Sequence, residues 1–181
     1  MNIIVMGPVG SGKSTQAELI ANELGISLLN VGDLLYFASK ENTPKGKKIK
    51  QTMDTGGLVE DKLVLELVEE HLEGKKHGNG VVLDGFPRSL WQAQNLLFPI
   101  DRVVYLKVSD KENKRRLLKR GRKDDAPDTI DKRLKIYHQE TEPILNYYRQ
   151  RGFLLEIDGE RPIEVIFKDA IAQLKVDEKK D

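Results

Sequence analysis

Cysteine is absent from this sequence, which excludes disulfides, thiolate zinc sites, iron–sulfur clusters and cysteine nucleophiles, and suits a reducing compartment. Neither sign of charge is in surplus. Thirty basic residues face 29 acidic ones for a formal net charge of +1, so nucleic acid is not an expected partner. Aromatic side chains are scarce, at 6%, and no aromatic-rich basic stretch of the kind that binds nucleic acid occurs. No apolar run approaches the roughly 20 residues that cross a bilayer. The apolar start, Met1 to Gly10, has no basic segment ahead of it and no Met-Gly acylation signal, so neither a signal peptide nor a membrane anchor is expected and the expected location is cytoplasmic.

What is present is enough for one core: 181 residues, 39% of them hydrophobic, read as a single domain over 1–181. Short runs of valine, isoleucine and leucine alternate with longer helix-period stretches, the pattern of an α/β parallel sheet covered by helices. Five strands are expected, at Ile3–Met6, Ser27–Leu29, Val81–Leu83, Val103–Val108 and Phe153–Ile157. Helices are expected from Lys13 to a glycine cap at Gly25, from a capping Asp61 to Gly74, from Asp110 to a break at Gly121, and from Thr129 to Gln150 with a kink or division at Pro143. Residues 30–59, with Pro44, Gly46, Gly56 and Gly57 around two short helical patterns, read as an insertion after the first crossover. The charged tail, 177–181, is assigned no function. His71, His77 and His138 stand apart without ligand spacing and read as ordinary histidines.

Gly7-Pro8-Val9-Gly10-Ser11-Gly12-Lys13-Ser14-Thr15 fits G-x-x-x-x-G-K-[ST] between a strand and a helix, the context in which that motif cradles phosphates. Glycines let successive N–H groups turn toward an anion, and the helix amino terminus adds partial positive charge. Lys13 is expected at the terminal phosphates, Ser14 at Mg²⁺ and Thr15 at an inner phosphate. A second signal is Val81-Val82-Leu83-Asp84-Gly85-Phe86-Pro87-Arg88, a buried strand ending in a carboxylate, a turn and an arginine. Asp84 at a strand's carboxyl end can hold Mg²⁺ or its waters opposite Ser14.

With these two stretches, Val31-Gly32-Asp33-Leu34-Leu35, Gly56-Gly57-Leu58-Val59 and Gln92, four residues beyond Arg88, make the chain resemble the adenylate kinases, P-loop nucleoside monophosphate kinases. The resemblance continues through Arg116 to Arg120, Arg122 with Asp124 and Asp125, Lys132-Arg133-Leu134 and Asp158-Gly159, and so spans nearly the whole chain. It implies a P-loop NTPase fold with a helical monophosphate-binding insertion and a lid, and reversible transfer from Mg-ATP to AMP giving two ADP. It further implies a catalytic set of Lys13, Arg88, Arg120, Arg122 and Arg133. The donor would bind at Gly10, Ser11, Gly12, Lys13, Ser14 and Thr15, with Arg116 on the base and a main-chain contact near Arg161. The acceptor would meet Val31, Gly32, Tyr36, Gly57, Leu58, Val59, Gly85, Phe86, Arg88, Arg122 and Arg133, with Gln92 reading adenine, since an amide both donates and accepts.

Two departures stand out. Tyr36 occupies the position where the resemblance implies an arginine, and Val31 that of a threonine. A charge-assisted hydrogen bond contributes about 1.5–3 kcal/mol against about 1 for a neutral one, so a raised Michaelis constant for AMP is expected. The lid, residues 120–125, is vestigial, with Gly121 alone between Arg120 and Arg122. Lids exclude water, so looser donor-base selection and some ATP hydrolysis are expected. Alternatives are a UMP/CMP-type kinase, opposed by Gln92, and a non-catalytic nucleotide-binding module, opposed by the retained arginines. Phe37, Trp91 and Phe98 could serve an interface or the core, and both monomer and homo-oligomer stay open.

Overall fold

The computed structural model describes residues 1–74, 79–122 and 125–177. One sheet contains β1 (Asn2–Met6), β2 (Ser27–Asn30), β3 (Val81–Asp84), β4 (Arg102–Lys107) and β5 (Leu154–Asp158). Its order is β2-β3-β1-β4-β5, with every neighbouring pair parallel. This is the α/β sheet expected from the sequence. β1 takes the centre because both its faces are apolar: Ile3, Ile4 and Val5 are at most 1% exposed. Ile4 and Met6 join the core on one face of the sheet, Ile3 and Val5 the core on the other, the two-residue alternation of a strand. Burial contributes about 1.5–3 kcal/mol for each such side chain. The order reverses at β1, and a parallel sheet leaves a crevice at the carboxyl ends of strands around such a point.

The chain leaves β1 there and enters α1 (Lys13–Leu24), which stops at Gly25 in a left-handed conformation, φ 63°. Segment 30–59 carries α2 (Val31–Ala38) and α3 (Pro44–Asp54). Asn30 Oδ1 accepts the Asp33 N–H and Thr43 Oγ1 the Gly46 N–H, so each helix begins at a side-chain cap. Helix α4 (Asp61–Gly74) follows, then α5 (Leu90–Asn95) after β3, and α6 (Asp110–Arg120) after β4. Gly121, φ 64°, ends α6.

The helix expected over 129–150 begins at Pro127 and divides at Pro143 as expected, into α7 (Pro127–Ile136) and α8 (Pro143–Gln150), but the π-helical turn at Tyr137–Thr141 between them was not expected. Pro143 lies in the first turn of α8, where its missing N–H is not needed; the widened turn precedes it. Helices α5 and α9 (Ile163–Asp177) were not expected. The described hydrogen bonds of the Asp61 carboxylate run to residues 28 and 31 positions away, at the start of α5. Of the charged tail, Asp177 ends α9; residues 178–181, like His77, Lys123 and Asp124, lie outside the described residues.

Candidate active site

The loop Gly7–Gly12 lies between the end of β1 and α1. A Cβ at Gly10, where φ is 85°, would come within 2.9 Å of the Asn113 carbonyl oxygen and of Leu117, because α6 packs directly onto the loop backbone. Gly12 stands at the amino-terminal cap of α1 with φ 89°, contributes no side-chain acceptor, and the first turn holds no acidic residue. Its N–H groups therefore remain available to an anion. Ser11 Oγ is buried without a hydrogen-bond partner. Lys13 Nζ donates to the Pro8 carbonyl at 3.3 Å, while Ser14 and Thr15 are exposed. Arg116 spans from this loop to the segment after β5: Nη1 donates to Ser11 O at 3.3 Å, Nη2 to Gly159 O at 2.9 Å, and Nε to Glu112 at 2.7 Å. Arg161 is tied to Asp169 at 2.6 Å and to the Asp158 carbonyl at 3.2 Å.

A crevice of about 920 Å³ opens beside Lys13 toward the insertion. From the sequence-predicted acceptor set it brings together Gly32, Tyr36, Gly57, Leu58, Gly85, Phe86, Arg88, Arg122 and Arg133. Val31 and Val59 are 1% and 7% exposed and belong to the core behind that wall. Arg88 Nε donates to the Gly85 carbonyl at 2.8 Å, and a Cβ on Gly85, φ 79°, would lie 3.2 Å from the guanidinium. Tyr36 is 49% exposed, and the Lys40 ammonium stands 4.6 Å from its ring centroid. Gln92 is not among the residues that line the crevice: it is 2% exposed, with its amide engaged by Arg88 N at 2.7 Å and Asp61 at 2.9 Å.

Charge is concentrated here. Burial pushes the Lys13 ammonium down to about 8; Asp84 opposes this, and Arg88, Arg133 and Arg120 add to it. Lys13 still carries its proton over most molecules at pH 7. Asp125, at the turn from α6 to α7, is 5% exposed. It accepts Arg120 Nη2 at 2.6 Å and Nε at 2.8 Å and the Arg122 N–H at 3.0 Å, and forms a longer ion pair with Arg133 Nη1 at 4.0 Å. The Arg120 guanidinium holds its carboxyl below the usual carboxylate range against the opposing effect of burial. Asp84 is 2% exposed; Oδ2 accepts the Asn30 amide at 2.8 Å, and Oδ1 is buried without a partner. One orphaned carboxylate oxygen and the Ser14 hydroxyl suit a hard cation such as Mg²⁺, which takes few protein ligands and keeps waters.

Sequence reasoning missed several participants. Thr129, Ile136, Tyr137 and Thr141 line the crevice, and Thr141 Oγ1 donates to the Arg88 carbonyl at 2.7 Å from the π-helical turn. Helical periodicity carries no sign of such a turn. Asn30 carried a legible cue, a cap residue at a helix start, but its bond to Asp84 spans 54 residues.

A family model described as adenylate kinase matches residues 5–153. Among similar curated proteins, Adenylate kinase 1 of a Nostoc species is 43% identical over 179 residues, 95% of this chain and 97% of that protein. Adenylate kinase 1 of a Synechocystis species is 43% identical over 171 residues, 91% of each chain. The adenylate kinase of Trichodesmium erythraeum is 39% identical over 178 residues, 92% of this chain and 93% of that protein.

Proposed function

Because this chain belongs to the adenylate kinase family, it moves a phosphoryl group reversibly between ATP and AMP, and we propose that Lys13, Arg88, Arg120, Arg122 and Arg133 carry that step. The observation that supports these roles is that Lys13, Arg88, Arg122 and Arg133 line one crevice, where burial first, and then the charges of Arg88, Arg133 and Arg120, bring the Lys13 ammonium down to about 8. A protein gains nothing in stability by crowding cations, so their cluster is matched to an anionic ligand.

The chemistry needs little else. An oxygen of the AMP phosphate forms a bond to the γ-phosphorus of ATP while the bond from that phosphorus to the β–γ bridging oxygen breaks, leaving two ADP. The nucleophile is already an anion, so no side chain has to remove a proton, and rate comes from alignment and charge neutralisation. In this reading the N–H groups of Gly10, Gly12 and Lys13 receive the donor phosphates, the Ser11 N–H being turned to the Pro8 carbonyl at 3.2 Å, with Arg116 and the Gly159–Arg161 segment beside the base. The acceptor phosphate meets Arg88, Arg122 and Arg133 in the crevice. Mg²⁺, held by Ser14 and Asp84 in part through water, would offset the negative charge of the donor phosphates.

Gln92 is read as the group that meets the acceptor base. Only six residues separate the end of α6 at Arg120 from the start of α7 at Pro127, which leaves little chain to cover the donor and is the basis for expecting imperfect exclusion of water. The test is chromatography of products from Mg-ATP with AMP, UMP, CMP or GMP, and with no acceptor. Two ADP per AMP consumed, with AMP preferred, is the expected result. Absence of transfer to every acceptor despite measured ATP binding refutes the reading.

A further inference from the structure

We infer that Asp61 is a specificity-determining positioning residue, which fixes the orientation of the Gln92 amide and thereby the hydrogen-bond pattern that the acceptor base meets. This rests on the reading that Gln92 contacts that base.

A glutamine amide is nearly symmetric in shape and opposite in polarity at its two ends, so an unrestrained one turns over to suit whichever base is offered. Here it is restrained from both sides. Gln92 Oε1 accepts the Arg88 N–H at 2.7 Å, and Nε2 donates to Asp61 Oδ1 at 2.9 Å. A backbone N–H cannot accept and a carboxylate cannot donate, so the reversed amide would set donor against donor at Arg88 and lone pair against lone pair at Asp61. Asp61 is itself held, since Oδ2 accepts the Ser89 hydroxyl at 2.6 Å, and Ser89 Oγ in turn caps α5 by accepting the Gln92 N–H. Ser89 and Gln92 are 7% and 2% exposed and Asp61 is half-buried, so two of the three members of the network are shielded from water.

What remains of the amide is one N–H and one oxygen lone pair, in a fixed order. Adenine presents an exocyclic amino donor beside a ring acceptor, and both match. Hypoxanthine, guanine and uracil carry a carbonyl oxygen where adenine and cytosine carry an amino group, and meet the fixed amide oxygen lone pair to lone pair. The amide can satisfy those bases only by turning over, and Asp61 opposes that. Selection against 6-oxo and 4-oxo bases is thus set on α4, by a residue that touches no substrate.

The experiment compares AMP with IMP, which differ in this pattern without an added amino group, as acceptors for the full-length wild type, Asp61→Ala, Asp61→Asn and Gln92→Leu. In Asp61→Ala the ratio of kcat/KM for AMP to that for IMP is expected to fall about tenfold, the loss of one charge-assisted restraint, mainly through KM for AMP. Asp61→Asn can still accept from Gln92 Nε2 and is expected to restore most of the ratio. An unchanged ratio in Asp61→Ala, an equal fall with both Asp61 variants, or a loss confined to kcat and shared by both nucleotides overturns the inference. If Gln92→Leu abolishes discrimination while Asp61→Ala keeps it, the base-reading role of Gln92 stands and the role of Asp61 falls. If Gln92→Leu discriminates as the wild type does, both fall.

Discussion

Replacing Lys13 by methionine is expected to destroy turnover and make the protein more stable at neutral pH. Burial, with Arg88, Arg133 and Arg120 against the opposing Asp84, brings the ammonium from 10.5 to about 8. At about 1.36 kcal/mol per pH unit, keeping it protonated in the folded chain costs about 3 kcal/mol. The side chain is partly open to water, and screening reduces this to about 1–2 kcal/mol. The sign follows from linkage: between pH 8 and 10.5 the unfolded chain binds more protons at this site than the folded one, so wild-type stability gains from this group as pH rises through that window. A methionine of similar length removes the cost at every pH. Thermal unfolding without nucleotide should therefore show Lys13→Met melting roughly 3–6 °C above wild type at pH 7, with the gap closing toward pH 10.5. Turnover should fall on the order of 10³-fold or more. A variant less stable than wild type at pH 7, or a gap that does not narrow with pH, refutes the argument that the cation cluster is strained.

Other substitutions separate the remaining roles. Arg122→Ala should cost on the order of 10³-fold in kcat/KM with little change in melting temperature, because Asp125 takes the backbone N–H of Arg122 and not its guanidinium; near-normal turnover removes Arg122 from the clamp. Tyr36→Arg should tighten AMP binding by calorimetry about tenfold, by adding a charged donor to the crevice wall, and unchanged affinity means that other cations already supply the charge. Donor assays should show GTP accepted at a measurable fraction of the ATP rate, and ADP released without acceptor, because only six residues join α6 to α7. Strict ATP use with no hydrolysis would mean that water is excluded by other means.

What the sequence made legible is what local rules encode. The phosphate loop, the strand before it and the helix after it are contiguous, and Gly25 and Gly121 end helices where only a residue at ease with positive φ does so cheaply. Helix α9 was also written in the chain, with Ile166, Ala170, Ile171 and Leu174 buried at helical spacing. The polar scaffold of the acceptor side is a different matter. Asp61 precedes an apolar helix pattern and so reads as a local cap, yet its carboxylate closes a network on α5 and orients Gln92. Asn30 likewise reads as a cap, and its amide nitrogen reaches Asp84 across two adjacent strands. In both cases one side chain has hydrogen-bonding capacity that local structure leaves unfilled, and it is half-buried beside a buried polar group that needs a partner, Asp84 or Gln92. A half-buried residue at a helix start, with capacity left over, is thus where a sequence offers a positioning residue without naming its target. Changing Asp61 should accordingly alter which base is accepted before it alters whether α4 forms.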